Sequence, residues 1–182
     1  PEWNDANNAL VGNGASMVTL CYLRRFIGFW SDKFSTTSIT GIEISEEIKA
    51  FFDSVFKVLS GNSNVLKKGF SDRDRRAFTD ALGQAGSAYR TGIYEKSFSG
   101  TKVAITPEEL QVFTRLCLDY IDQSISVNKR GDGLYHAYNL ISFNGDTLSI
   151  RNLYEMLEGQ VAVLNSGFLT PEESLEVLDS LR

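Results

Sequence analysis

The chain has 182 residues, 42% hydrophobic and 12% aromatic content and a formal net charge of −5 at pH 7. That length and composition suit one domain with a substantial core and exclude a disordered polypeptide. An acidic balance with a sequence pI near 5.0 leaves no electrostatic footprint for nucleic acid; Arg24 and Arg25 interrupt the longest apolar run, which falls short of the roughly 18 residues a membrane span needs.

The first stretch, Pro1-Glu2-Trp3-Asn4-Asp5-Ala6-Asn7-Asn8-Ala9-Leu10-Val11-Gly12-Asn13-Gly14-Ala15-Ser16, crowds acids, amides and a Trp ahead of two glycines and a long apolar run. Chemically it is a carboxyl group held by amides beside an aromatic platform. Sugars are bound by such groups, because hydroxyls take planar hydrogen-bonding partners and pyranose faces pack on aromatic surfaces. The carboxyl able to give a proton to a glycosidic oxygen is Asp5 or Glu2. The bland alternative is a capping loop, since Asn and Asp gather wherever their side chains can bond nearby backbone N–H groups.

Trp3-Asn4-Asp5, Asn8, Val11-Gly12, Gly14 and Ser16 resemble the D-W-N-D-G-M-N…V-G…G-x-G-E-S segment of cellobiose-phosphorylase-like enzymes. Those are inverting glycoside phosphorylases whose catalytic domain is an (α/α) toroid of six helical hairpins. The resemblance implies Asp5 as general acid, with Trp3, Asn4, Asn8 and Glu2 as substrate-binding residues, an oligosaccharide as substrate and inorganic phosphate as co-substrate. It covers this opening stretch alone. Two departures fall inside it: Ala6-Asn7 replace the family's Gly-Met pair, and Ala15 replaces the Glu before the Ser.

Along the chain, Ala15 to about Phe34 reads as a helix apolar nearly all round, the pattern of a helix buried between neighbours. Ser35 to Gly41 reads as a loop. Ser45 caps an amphipathic helix whose Ile48, Phe51, Phe52, Val55, Phe56 and Leu59 form one stripe ending at Gly61. Lys67, Lys68, Arg73, Arg75 and Arg76 are the basic cluster; interleaved with Asp72 and Asp74, they read as a solvated face. Ser71 and Asp74 open the next helix, weakened by Gly83 and Gly86. Ser97 to Ala104 is expected to be a loop.

Thr106-Pro107-Glu108-Glu109 combines an N-cap, Pro at N1 and a capping-box Glu. It starts a helix expected to end near Asn128, with Asp119 and Asp122 facing solvent. Asn128 to Gly133 fails the calcium-loop template, because Arg130 holds a ligand position, and reads as a turn. Tyr138 to Phe143 and Thr147 to Ile150 flank Asn144-Gly145 as a hairpin. The lone His136 before it reads as a hydrogen-bonded structural residue, with a catalytic base as the minority reading. Ile150 to Asn165 is expected to be helical. Thr170-Pro171-Glu172-Glu173 repeats the capping box and launches the last helix. Cys21 and Cys117 sit in apolar helical patterns and are expected as free thiols, and with a single His they are too few for a metal site.

The expected fold is therefore all-α: a helical-hairpin array, part of an (α/α) toroid by the resemblance, with one small β-hairpin near residues 138–150. One helical domain is expected over 1–182, a fragment of a larger catalytic domain and inactive alone, with the remaining segments of the parent chain as its partners. A missing signal peptide says nothing about location, because the true N-terminus can lie upstream; the location is left open, with the cytoplasm favoured. An inverting phosphorylase needs one protein acid, because phosphate attacks the anomeric carbon. An inverting hydrolase needs a second carboxylate roughly 6.5–9.5 Å away, and no motif marks one here. The competing expectation is a non-catalytic helical interaction module that kept the fold and lost the chemistry.

Overall fold

The computed structural model describes residues 14–182. Glu2, Trp3, Asn4, Asp5 and Asn8 thus lie outside the described residues. Within them the chain is predominantly helical: seven helices account for 63% of it, beside short antiparallel strands.

In chain order the elements are β1 (Gly14–Ser16), α1 (Met17–Thr36), β2 (Ile42–Ser45), α2 (Glu46–Gly61), α3 (Ser63–Lys68) and α4 (Asp72–Lys96). They continue as β3 (Lys102–Ile105), α5 (Pro107–Val127), β4 (Tyr138–Asn144), β5 (Thr147–Asn152), α6 (Leu157–Asn165) and α7 (Pro171–Ser180). The capping signals mark the helix starts well. Ser45, Ser71 and Thr170 each accept a backbone N–H from the first turn of the helix they open, and at Ser71 and Thr170 the capping box is complete. Thr106 and Glu109 exchange the same reciprocal bonds at the head of α5.

Four expectations are corrected. Ala15 is a strand residue, and α1 begins at Met17 after Ser16, whose hydroxyl accepts the Thr19 N–H. Lys102–Ile105 is a strand, because it pairs with Ile42–Ser45 in the register Ile42↔Ile105 to Ser45↔Lys102. Ser63–Lys68 adds a short helix that takes in Lys67 and Lys68 of the basic run, where no helix was expected. The helix expected from Ile150 begins at Leu157, because β5 runs to Asn152 and Leu153 N–H then donates to the Tyr138 carbonyl. The hairpin turn itself falls on Gly145, at φ +57°, and Asp146. The fold is thus mainly helical rather than purely so, with a three-stranded sheet β1-β4-β5 and a two-stranded sheet β2-β3.

The chain divides into two compact units, and α1, α5 and the β4–β5 hairpin contribute residues to both. Among the described residues the first comprises 14–29, Leu118–Asn144 and Leu148–Arg182. Its core joins Met17 and Cys21 of α1 to Ile121 and Ile125 of α5, Ala162 and Val163 of α6 and Val177 of α7. Ile125, Val163 and Val177 are each 1% exposed, and burying an aliphatic side chain so fully contributes about 1.5–3 kcal/mol. Gly159 lets the head of α6 close on the chain: a Cβ there would meet Ala137 Cβ at 2.8 Å and Ala137 Cα at 3.1 Å.

The second unit comprises Trp30–Cys117 with the hairpin tip Gly145–Thr147. Here α2 packs against α4, with Phe51 stacked on Tyr89 at 5.0 Å. Phe113 of α5 meets Phe52 and Phe56 of α2 at 4.7 and 6.3 Å between centroids. Glu46 N–H donates to the Thr101 carbonyl, and Glu47 Oε1 accepts the Ser99 N–H at 2.6 Å; the bond from Ser99 holds the Glu47 carboxyl below the usual range. The three arginines of the basic cluster are in ion pairs: Arg73 with Asp146, Arg75 with Asp72 and Arg76 with Asp80.

Candidate functional site

Of the opening motif, Gly14, Ala15 and Ser16 fall among the described residues, and they are fixed by backbone pairing. As β1 they lie antiparallel to β4 in the register Gly14↔Leu140, Ala15↔Asn139 and Ser16↔Tyr138. Met17 N–H then donates to the Ala137 carbonyl at 2.9 Å. Ser16 Oγ accepts both the Thr19 N–H and the Thr19 hydroxyl at 3.0 Å, so the motif's Ser acts as an N-cap for α1. Four paired backbone positions thus tie the end of the motif to the first unit.

On and around β4, the strand that β1 pairs with, lies a set of polar groups that the sequence did not single out as a site. Asn139 is 3% exposed and its Nδ2 donates to Asn128 Oδ1 at 2.8 Å, while Asn128 Nδ2 donates to the Ser124 carbonyl. Asn139 Oδ1 has no hydrogen-bond partner among the described residues, and a buried acceptor left in that state costs about 1–3 kcal/mol. Tyr138 is buried, and its phenol is pushed up to about 12, first by burial and then by the Glu158 carboxylate beside it. Gln160, 1% exposed, bonds both backbone groups of Tyr135: Oε1 accepts its N–H and Nε2 donates to its carbonyl, each at 2.8 Å. The available signal was a polar residue inside an apolar run, Asn139 in the hairpin and Gln160 in a helical stripe.

His136 Nδ1 lies 3.1 Å from the Leu153 carbonyl; a carbonyl only accepts, so the ring nitrogen donates and the bond fixes the orientation of the imidazole. Asp122 does not simply face solvent. It accepts a two-pronged bond from Arg24, at 2.5 Å from Nε and 3.1 Å from Nη2, while Arg24 Nη1 donates to the Ser166 carbonyl and the guanidinium lies 5.5 Å from the Phe168 ring. The turn after α5 is closed by Arg130, which pairs with Asp132 and Glu155 and holds the Asp132 carboxyl down to about 2. Cys21 and Cys117 are free, and burial pushes both thiols up to about 11, which leaves them poor nucleophiles.

Among the described residues no group of three or more His, Cys, Asp or Glu could hold a metal ion, and no helix is long and apolar enough to cross a membrane. The polar groups on and around β4 are buried, and all but Asn139 Oδ1 are committed to one another, to the backbone or to Glu158. No protein-family model and no curated protein matches the chain.

Proposed function

We propose that the chain is part of a carbohydrate-active enzyme that cleaves glycosidic bonds, by inverting phosphorolysis of a gluco-disaccharide, with Asp5 as the general acid. The observation that carries this reading is the run Trp3-Asn4-Asp5, Asn8, Val11-Gly12, Gly14, Ser16. Its support from the structure is indirect: the described end of the run is a paired strand and a capped helix start, which is the rigid base a catalytic constellation requires. In this reading Trp3 is the aromatic platform, Asn4, Asn8 and Glu2 bind hydroxyls or orient the acid, and phosphate is the nucleophile. The helices form one part of an (α/α) toroid completed by other segments of the parent chain.

Asp5 must be protonated at working pH to act as an acid, which calls for an apolar wall or a neighbouring carboxylate; Trp3 and Glu2 are the adjacent groups that supply them. The test is turnover of β-linked gluco-disaccharides by the intact parent protein, with and without phosphate. Sugar 1-phosphate formed only with phosphate, and lost in Asp5→Asn, supports the reading. Turnover with water alone converts it to hydrolysis. A second reading, a helical interaction module without chemistry, is favoured by exposed apolar side chains on the last two helices: Leu157 at 67%, Val161 at 52%, Leu175 at 58% and Leu178 at 50%. Absence of turnover on a broad glycan panel selects it.

A further inference from the structure

We infer that the groove between α2 and the first turns of α5 docks a segment of a partner protein that presents an arginine beside an apolar side chain. The groove lies within the second unit, is independent of the sugar chemistry, and encloses about 360 Å³ lined by Phe52, Asp53, Phe56, Glu108, Glu109 and Val112. Its floor is aromatic, with the Phe52 and Phe56 rings nearly parallel at 6.2 Å. Val112, 54% exposed, forms one apolar shoulder.

Charge selects the occupant. Three carboxylates, Asp53, Glu108 and Glu109, stand on the rim, and Lys49 pairs with two of them, 2.6 Å from Asp53 and 3.6 Å from Glu109. The same Lys49 ammonium lies 5.5 Å from the Phe52 centroid, so the protein's own cation already samples the chemistry the groove offers: a ring face below and carboxylates beside. Glu109 is further committed to its capping bond with Thr106 N–H and Asp53 Oδ1 to Lys49, which leaves Glu108 and Asp53 Oδ2 for a guest. Lys57 and Arg115, further along the two helices, lie outside the lining. Arginine fits this pattern better than lysine, since its planar guanidinium can stack on the rings while its edge bonds a carboxylate. An apolar neighbour in the guest covers Val112, and the chain's net charge of −5 favours approach of a basic partner.

The test uses the full chain and a fluorescently labelled peptide alternating leucine and arginine, followed by anisotropy at low salt, beside the same peptide with citrulline for arginine. Saturable binding is expected, weakened about tenfold by citrulline, about threefold by Glu108→Gln and about threefold by Val112→Ala. Both positions are exposed, and unchanged circular dichroism of the variants confirms their fold. Equal binding of the two peptides, no loss in either variant, or no saturable binding overturns the inference. So does displacement of the peptide by free arginine amide at equal concentration, which makes the groove a small-cation site instead.

Discussion

A single methyl group decides how the head of α6 seats in the first unit. A Cβ at Gly159 would press on both the side chain and the backbone of Ala137, at 2.8 and 3.1 Å, and neither is the flexible end of a long side chain. Gly159→Ala is therefore expected to destabilise the chain by about 1–3 kcal/mol, against the slight gain that the higher helix propensity of Ala would otherwise bring; urea unfolding measures it. Asp132 gives a pH signature. Arg130 depresses its folded pKa from 3.8 to about 2, so its contribution to stability is complete above pH 3.8 and is lost as pH falls through that value towards 2. An NMR titration should find the low midpoint, and Arg130→Gln should return it towards 3.8. Tyr138 behaves oppositely, since its folded pKa is raised from 10 to about 12 and its stabilising effect fades as pH rises from 10 towards 12; Tyr138→Phe should remove that alkaline loss from the pH dependence of unfolding.

At the scale of elements, local chemistry is what the sequence makes legible. Removing the α7 cap by Thr170→Ala should cost about 1 kcal/mol, and Thr170→Ser should restore most of it, read as thermal midpoints. Such caps are visible in sequence because the Thr170–Glu173 bonds join residues three apart. The short strands are not, because their pairing is non-local: Ile42 finds Ile105, and Ala15 finds Asn139. The segment from Ile150 shows the conflict most sharply. Leu153 and Tyr154 fit a helical stripe with Leu157 and Val161, yet the backbone there bonds to β4, with Leu153 N–H on the Tyr138 carbonyl. Pairing across the hairpin overrides helical spacing. Asp122 shows the same limit for side chains. Its position off the apolar stripe predicts solvent, while Arg24, 98 residues away, supplies a guanidinium that only the fold reveals.

At the scale of the whole molecule, the two units carry different apolar and charged surfaces. The first holds the end of the opening motif as a strand beside buried amides and a protonated phenol, and the second holds the aromatic, acidic groove. The role proposed for Asp5 in the opening motif is that of a proton donor to a glycosidic oxygen. It is tested most directly by incubating the intact parent protein and its Asp5→Asn variant with a β-linked gluco-disaccharide and inorganic phosphate, and measuring sugar 1-phosphate. Asp5→Asn is expected to lower the rate by about 10²–10⁴-fold, the usual contribution of a general acid, while leaving the melting temperature unchanged. Equal rates for the two proteins, or no sugar release by either, would contradict it.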